Sequence, residues 1–230
     1  MATVQENLQL LRARIAAAAR RVNRAPEEIK LLAVSKRVAP ELIQEAVAAG
    51  QPLFGENYLQ EALDKMALCG PELVWHFIGH LQSNKCRVVA EHFACVETVD
   101  RLKLATSLQR HAAALNRVLP ILIQVNIGRE PQKSGVLPED APQLLTALRE
   151  LTNLQVRGLM AMPPFFDDPE QARPYFRRTR ELAESLAAEG LLPTDTSLEL
   201  SMGMSGDFEV AIEEGATLVR VGTALFGSRT

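Results

Sequence analysis

A lysine near one end of the chain and an arginine with small hydroxyl residues near the other carry the side chains best suited to chemistry. In "KLLAVSKRVAP", residues 30–40, an apolar run from Leu31 to Val34 stops two residues before Lys36. Alternation along a strand puts Leu32, Val34 and Lys36 on one face, so an inward Leu32 aims the ammonium at the mouth of whatever the sheet encloses. A lysine in apolar surroundings has a lowered pKa and can attack a carbonyl to form a Schiff base. The plainer alternative is a strand-end lysine whose stem covers the sheet while its head reaches water.

"SMGMSGD", residues 201–207, offers the hydroxyls of Ser201 and Ser205, a glycine backbone a ligand can approach, and the amides of a helix opening near Asp207. "RVGTALFG", residues 220–227, adds the hydroxyl of Thr223. Together these loops can cradle one phosphate; separately each is an ordinary cap or turn. Arg220 shares a strand face with Leu218 and Gly222, and a guanidinium there needs a hydrogen-bond partner. A carboxylate such as Glu199 is one candidate, but alternation sets it opposite Leu200; a ligand atom is another.

The elements that must position these groups repeat as strand then helix. Eight strand-like segments follow an amphipathic helix within residues 1–24, and each of the first seven strands leads into a helix. Strands start roughly every 20 to 30 residues, and no GxGxxG follows the first, so the expected fold is α/β: a single (β/α)8 TIM barrel over residues 30–230 with an extra N-terminal helix. Closure makes strand one the neighbour of strand eight, which brings Lys36 and Arg220 to the cradle. The N-terminal helix is expected to cover the outside of that closure.

The 230 residues are 47% hydrophobic and 23% charged, with a formal net charge of -3, which gives no basic footprint for nucleic acid. No segment approaches the roughly 20 apolar residues that span a bilayer, and the N-terminus lacks a signal-peptide pattern, so a cytoplasmic chain without a membrane partner is expected. Cys69, Cys86 and Cys95 are spaced neither as a zinc site nor as a redox pair. His76 and His80 lack a third ligand, so no metal is expected, and they are read as lining or packing groups. Lys133-Ser134-Gly135 could contact an anion, but a solvated turn is the favoured reading, loops being polar by default.

A Schiff-base lysine beside a phosphate cradle suits two ligand classes. One is a phosphorylated sugar, as in an aldolase; the other is pyridoxal 5'-phosphate (PLP). Arg220 favours PLP because it could face the ring nitrogen, whereas an aldolase also needs inward acid/base carboxylates. Glu56, Asp100 and Asp167 are available, but nothing in the sequence places them inside.

The blocks "FGENY", "WHFIGHLQSNK", "QVNIGREPQKSG", "GLMAM" and "LSMGMSGDFEVAIEEGATLVRVGTALFG" make nearly the whole chain resemble the pyridoxal phosphate homeostasis protein family. The resemblance implies one PLP-binding barrel similar to the alanine racemase N-terminal domain, acting as a carrier or regulator of intracellular PLP (vitamin B6) without an established reaction. It implies a covalent aldimine on Lys36, with Arg220 beside the pyridine nitrogen. It further implies phosphate contacts from Ser201, the Met202-Gly203 backbone, Gly222 and Thr223, and a ring contact from Asn57. Apo PLP-dependent enzymes are the implied recipients.

A cation at the ring nitrogen favours its unprotonated form and a weaker electron sink. The racemases of this resemblance use a tyrosine from an additional β domain, and here only Tyr58 and Tyr175 are available. A non-enzymatic role is therefore expected, with a weak amino-acid racemase or a Schiff-base aldolase as alternatives.

Overall fold

The computed structural model describes residues 3–195 and 198–227. Eight parallel strands close into a barrel in sequence order: β1 (Lys30–Val34), β2 (Leu53–Glu56), β3 (Val74–Phe77), β4 (Cys95–Val99), β5 (Leu119–Val125), β6 (Leu154–Ala161), β7 (Glu199–Ser201) and β8 (Leu218–Val221). The connecting helices are α2 (Pro40–Ala48), α3 (Leu59–Cys69), α4 (Cys86–His92), α5 (Leu102–Ala114), α6 (Ala141–Leu148), α7 (Arg173–Ala188) and α8 (Phe208–Glu213). α1 (Val4–Arg21) precedes the barrel, and the short α9 (Thr223–Phe226) follows β8.

Alternation divides the strand side chains between two cores. Phe54, Trp75, Phe77, Val96, Ile121 and Leu200 point outward into the main core between sheet and helices. Each fully buried side chain of this size contributes about 1.5–3 kcal/mol. Leu32, Val34, Ile78 and Leu218 form a separate cluster inside the barrel, as do Cys95, Leu122 and Met160. Leu32 and Val34 thus face inward, and Lys36 stands just beyond their strand.

The closing seam pairs Leu32 with Arg220 and Ala33 with Val221. α1 covers it, beginning with a capping box between Thr3 and Glu6 and burying Leu8, Leu11, Ile15 and Ala18. Arg12 donates to the carbonyls of Ala49 and Gly50 after α2, while Arg14 pairs with Glu209 of α8 at 3.1 Å. Asn7 Nδ2 donates to the Leu225 carbonyl of α9 at 2.9 Å. The N-terminal helix therefore covers the junction of β8 and β1, the expected place for it to stand in for a helix following strand eight.

The segment after β5 departs from the expected solvated turn. Asn126 Nδ2 donates to the Glu130 carbonyl at 2.8 Å, and Val136 makes an isolated parallel bridge to Val125. Gly135 has φ 126°, and a Cβ there would stand 2.6 Å from Asn126 N. Lys133 pairs with Glu130 and donates to the Pro163 carbonyl at 3.0 Å, so the loop folds back onto the barrel mouth.

Candidate functional site

A cavity of about 630 Å³ opens at the carboxyl ends of the strands. Lys36, Asn57, Arg220, Gly222 and Thr223 line it, together with Ser205. A larger cavity of about 710 Å³ lies at the opposite mouth, lined among others by Lys30, His76, Arg157 and Glu199. The carboxyl-end cavity is the candidate site because the lysine, the arginine and the small-residue loops converge there, at the face where barrels carry their chemistry.

The turn bearing Lys36 is fixed from below. Ser35 Oγ donates to Glu56 Oε1 at 2.7 Å, and Lys65 Nζ donates to the Ser35 carbonyl at 2.6 Å and to Glu56 Oε1 at 2.7 Å. Glu56 and Lys65 are buried on the helix side of β2, so Glu56 supports the turn and does not enter the barrel. Burial pushes the Glu56 carboxyl above its ordinary pKa, opposed chiefly by Lys65. Asp100 accepts from its neighbour Arg101, and Asp167 is exposed in the loop after β6. None of these three carboxylates supplies an inward acid/base group.

Asn57 reaches the cavity because the next strand lets it approach. A Cβ on Gly79 would lie 2.1 Å from the Asn57 carbonyl oxygen, so only glycine admits this backbone contact. Asn57 Oδ1 is buried without a hydrogen-bond partner among the described residues. Such an acceptor costs free energy unless a ligand donates to it.

The protein partners of Arg220 are Ser201 and Ala161, not Glu199. Its Nη1 donates to Ser201 Oγ at 2.7 Å and its Nη2 to the Ala161 carbonyl at 2.9 Å. Ser201 Oγ in turn donates to Glu97 Oε2 at 2.5 Å, and His76 Nδ1 lies 2.7 Å from Glu97 Oε1. Glu199 faces inward one level lower and is occupied by Lys30 at 2.7 Å and Arg157 at 3.3 Å, which removes it as the partner of Arg220. Burial alone would raise the Glu97 pKa, but the hydrogen bond and charge of His76, the charge of Arg220 and the Ser201 hydrogen bond hold it below the ordinary value. Burial pulls Arg220 down, opposed by Glu97 and Asp207.

The loops after β7 and β8 meet at Ser205, whose Oγ accepts from the amides of Gly222 and Ala224, both at 3.3 Å. Gly203 holds φ 93°, where a Cβ would stand 2.6 Å from Ala211 Cβ, so glycine is required for the turn. Ser201, Met202 and Gly203 lie buried beneath the cavity. The Ser201 hydroxyl, expected at the phosphate, is committed to Arg220 and Glu97, and Ser205 is the serine that lines the cavity. Asp207 also lines it, accepting from the Met204 amide at 2.6 Å; burial pushes its carboxyl above the ordinary value.

Phe165 and Phe166, in the "PPFFDDP" loop after β6, form part of the wall. Two aromatics in a polar loop at the functional end of a barrel are the sequence signal for them. His80 stays exposed at the rim with Nδ1 3.2 Å from Ser134 Oγ, whereas His76 is buried inside the barrel. No group of three or more His, Cys, Asp or Glu arranged to hold a metal ion occurs among the described residues.

The sequence pattern of the family described as "Alanine racemase, N-terminal domain" matches residues 6–230. A Pyridoxal phosphate homeostasis protein of Pseudomonas aeruginosa is 50% identical over 230 residues, covering 100% of this chain and 97% of that one. The chain belongs to the pyridoxal phosphate homeostasis protein family. The family member from Escherichia coli K12 is 47% identical over 234 residues, covering 100% of this chain and 98% of its own. Among solved structures, PipY of Synechococcus elongatus PCC7942, with PLP bound, is 39% identical with a TM-score of 0.85, covering 98% of this chain and 100% of PipY. The resemblance of the motif blocks and the barrel expected from strand spacing both agree with this membership.

Proposed function

We propose that this chain binds PLP in the carboxyl-end cavity as a reversible Schiff base on Lys36, and that it buffers and supplies the cofactor. The observation that carries this reading is convergence. Lys36 and Arg220, from opposite ends of the sequence, line one cavity with Ser205, Gly222 and Thr223. PLP presents an aldehyde, a phosphate and a pyridine nitrogen; the cavity offers an amine, a small-residue cradle and a guanidinium. The orphaned Asn57 Oδ1 supplies an acceptor for the ring side. The residues therefore fit the group, and the PLP bound to PipY, at 39% identity, supports the same assignment here.

When bound, PLP supplies an electron sink for chemistry at carbon. Arg220 retains its charge at ordinary pH and disfavours protonation of the ring nitrogen, which weakens that sink. Racemisation also needs a second acid or base across the ring. Tyr58 is 50% exposed, with Arg37 over its ring, and Tyr175 stacks on Phe166. Neither tyrosine is among the described residues lining the cavity. Lys36 then holds the aldehyde, the loops of Ser205 and Thr223 hold the phosphate, and Asn57 and Arg220 orient the ring.

Release delivers the cofactor to apo PLP-dependent enzymes. We place this role in the cytoplasm, in keeping with three free cysteines and with no helix long and apolar enough to cross a membrane among the described residues. The test is titration of the purified protein with PLP, followed by absorption spectroscopy, borohydride reduction and peptide mapping. A visible chromophore and a pyridoxyl adduct on Lys36, both lost in Lys36→Ala, are expected. Transfer to an apo-enzyme, compared with free PLP, tests delivery. Failure of the wild type to form the chromophore sinks the binding claim, and rapid Lys36-dependent deuterium exchange at an amino acid's α-carbon overturns the non-enzymatic one.

A further inference from the structure

The carboxyl-end cavity is joined to the opposite end of the barrel by a line of side chains inside it. Arg220 lines the upper cavity, and His76 lines the lower one. Between them stand Ser201, with no exposed surface, and Glu97, likewise fully buried. Contacts of 2.7 Å (Arg220 to Ser201), 2.5 Å (Ser201 to Glu97) and 2.7 Å (Glu97 to His76) leave no gap in the line.

The donor count gives this line a direction. A serine hydroxyl has one proton, and Ser201 gives it to Glu97, so its lone pairs face Arg220 and accept from Nη1. As a carboxylate, the form its lowered pKa favours, Glu97 accepts from Ser201 on Oε2 and, in the tautomer that carries a proton on His76 Nδ1, from the imidazole on Oε1. A buried guanidinium needs a counter-charge, and Glu97 supplies one through a single intervening hydroxyl. The apolar side chains inside the barrel, among them Leu32, Leu218 and Met160, carry no charge, Glu199 is occupied by Lys30 and Arg157, and Asp207 adds a second negative charge from the cavity wall.

We propose that Glu97, oriented by His76, is the positioning residue for Arg220: through Ser201 it fixes where the guanidinium stands against the ligand ring and keeps its charge there. This deepens the PLP reading above and rests on it for its ligand-bound test. Glu97 is a positioning residue and not a catalytic one, since Ser201 and Arg220 separate it from the cavity. His76 acts one step further back, and the lower cavity gives its ring access from the opposite mouth.

The experiment combines a thermodynamic cycle on the apo-protein with PLP titrations. Glu97→Gln, Arg220→Met and the double variant are compared for thermal stability. The two sites are expected to be non-additive, with the double variant more stable than Arg220→Met alone, because the second change removes a stranded buried carboxylate. In the holo-protein, Glu97→Gln is expected to weaken PLP binding about tenfold or more and to shift the bound chromophore band. Ser201→Ala should move affinity and spectrum in the same direction, and it takes over the titration if Glu97→Gln does not fold. Leu148→Ala, a remote core variant, should lower stability without moving the band.

Additive stabilities, or a Glu97→Gln holo-protein with wild-type affinity and spectrum, overturn the assignment. If the wild type binds no PLP, the proposed function fails, and the apo-protein cycle still decides whether Glu97 holds Arg220.

Discussion

Leu32 pairs in register with Arg220 across the seam that closes the barrel. That pairing sets the level at which both ends of the chain meet the cavity. Leu32 fills the interior beside Arg220, Val34 forms the next inward layer, and Lys36 emerges just above it at the mouth. The guanidinium sits within the barrel and the ammonium at its rim, so a ligand bridging them spans the cavity from wall to opening. α1 holds the seam in place from outside, through its contacts to α2, α8 and α9.

Gly79→Ala tests the fit of the ring side. The added Cβ would meet Asn57 backbone atoms at 2.1, 2.7 and 2.8 Å, and backbone cannot rotate away as a side-chain tip can. We expect a loss of about 1–3 kcal/mol in chemical denaturation, the usual range for an overpacked site. Displacement of Asn57 should also weaken PLP binding. Wild-type affinity in a folded Gly79→Ala protein would remove Asn57 from the site.

Alternation and strand order make the placement of Lys36, Arg220 and the two cradle loops legible in the sequence, because it follows from period two and from closure. Glu97 is not legible: in "FACVETVD" it looks like any strand carboxylate, whereas Asp100 stands at the strand end where barrels carry their chemistry. Its role depends on which residues of β3, β7 and β8 reach the same interior layer, and that depends on strand stagger. The packing of the loop after β5 is hidden for a related reason. Its packing comes from Asn126 and Val136 binding back to the barrel, contacts with no periodic trace in sequence. Ser201 and Ser205 both suited a phosphate by type, and only burial separated them.

Asp207→Asn tests electrostatics at the cradle. The Asp207 carboxylate shares the cavity with Gly222 and Thr223, so when ionised it opposes a bound phosphate. Burial raises its pKa above 3.8, while the Met204 amide and Arg220 counteract part of that rise. As pH rises through the raised value the carboxyl loses its proton, so both the folded state and anion binding lose free energy over that window. Asparagine keeps an acceptor for the Met204 amide and lacks the charge. PLP affinity at neutral pH should rise by on the order of tenfold. The wild-type minus variant difference should narrow on acidification, and a pH-independent difference would contradict this account.

Lys65→Met tests the support beneath Lys36. Lys65 is the buried cation that compensates Glu56 and also binds the Ser35 carbonyl, so its removal strands a carboxylate under the turn. Breaking a buried pair from one side costs about 3–5 kcal/mol. A Lys65→Met, Glu56→Gln double variant should recover part of that loss. Denaturant midpoints of the three proteins give the comparison, and equal losses in the single and double variants would show that packing alone is at stake.

Glu214→Gln tests how the last full barrel helices are joined. Glu214, at the end of α8, accepts from Arg173 at 3.1 Å and from Arg177 at 2.9 and 3.2 Å, both on α7. Burial acts to raise its pKa, but the hydrogen bonds and charges of Arg177 and Arg173 outweigh it and hold the carboxyl below 4.5. A depressed carboxyl contributes stability that is present above its unfolded value and is lost as pH falls through the folded one. Arg177 is half exposed, so solvent screens its share, and the buried Glu214 end carries more of the effect. The wild type should exceed Glu214→Gln by about 1–2 kcal/mol near neutrality. That margin should be flat from pH 6 to 8, taken as roughly two units above the carboxylate range, and should shrink below about pH 4.5 as Glu214 takes up its proton. Thermal unfolding of both proteins across this range measures it; a margin that persists undiminished in acid would assign the contribution to packing and not to charge.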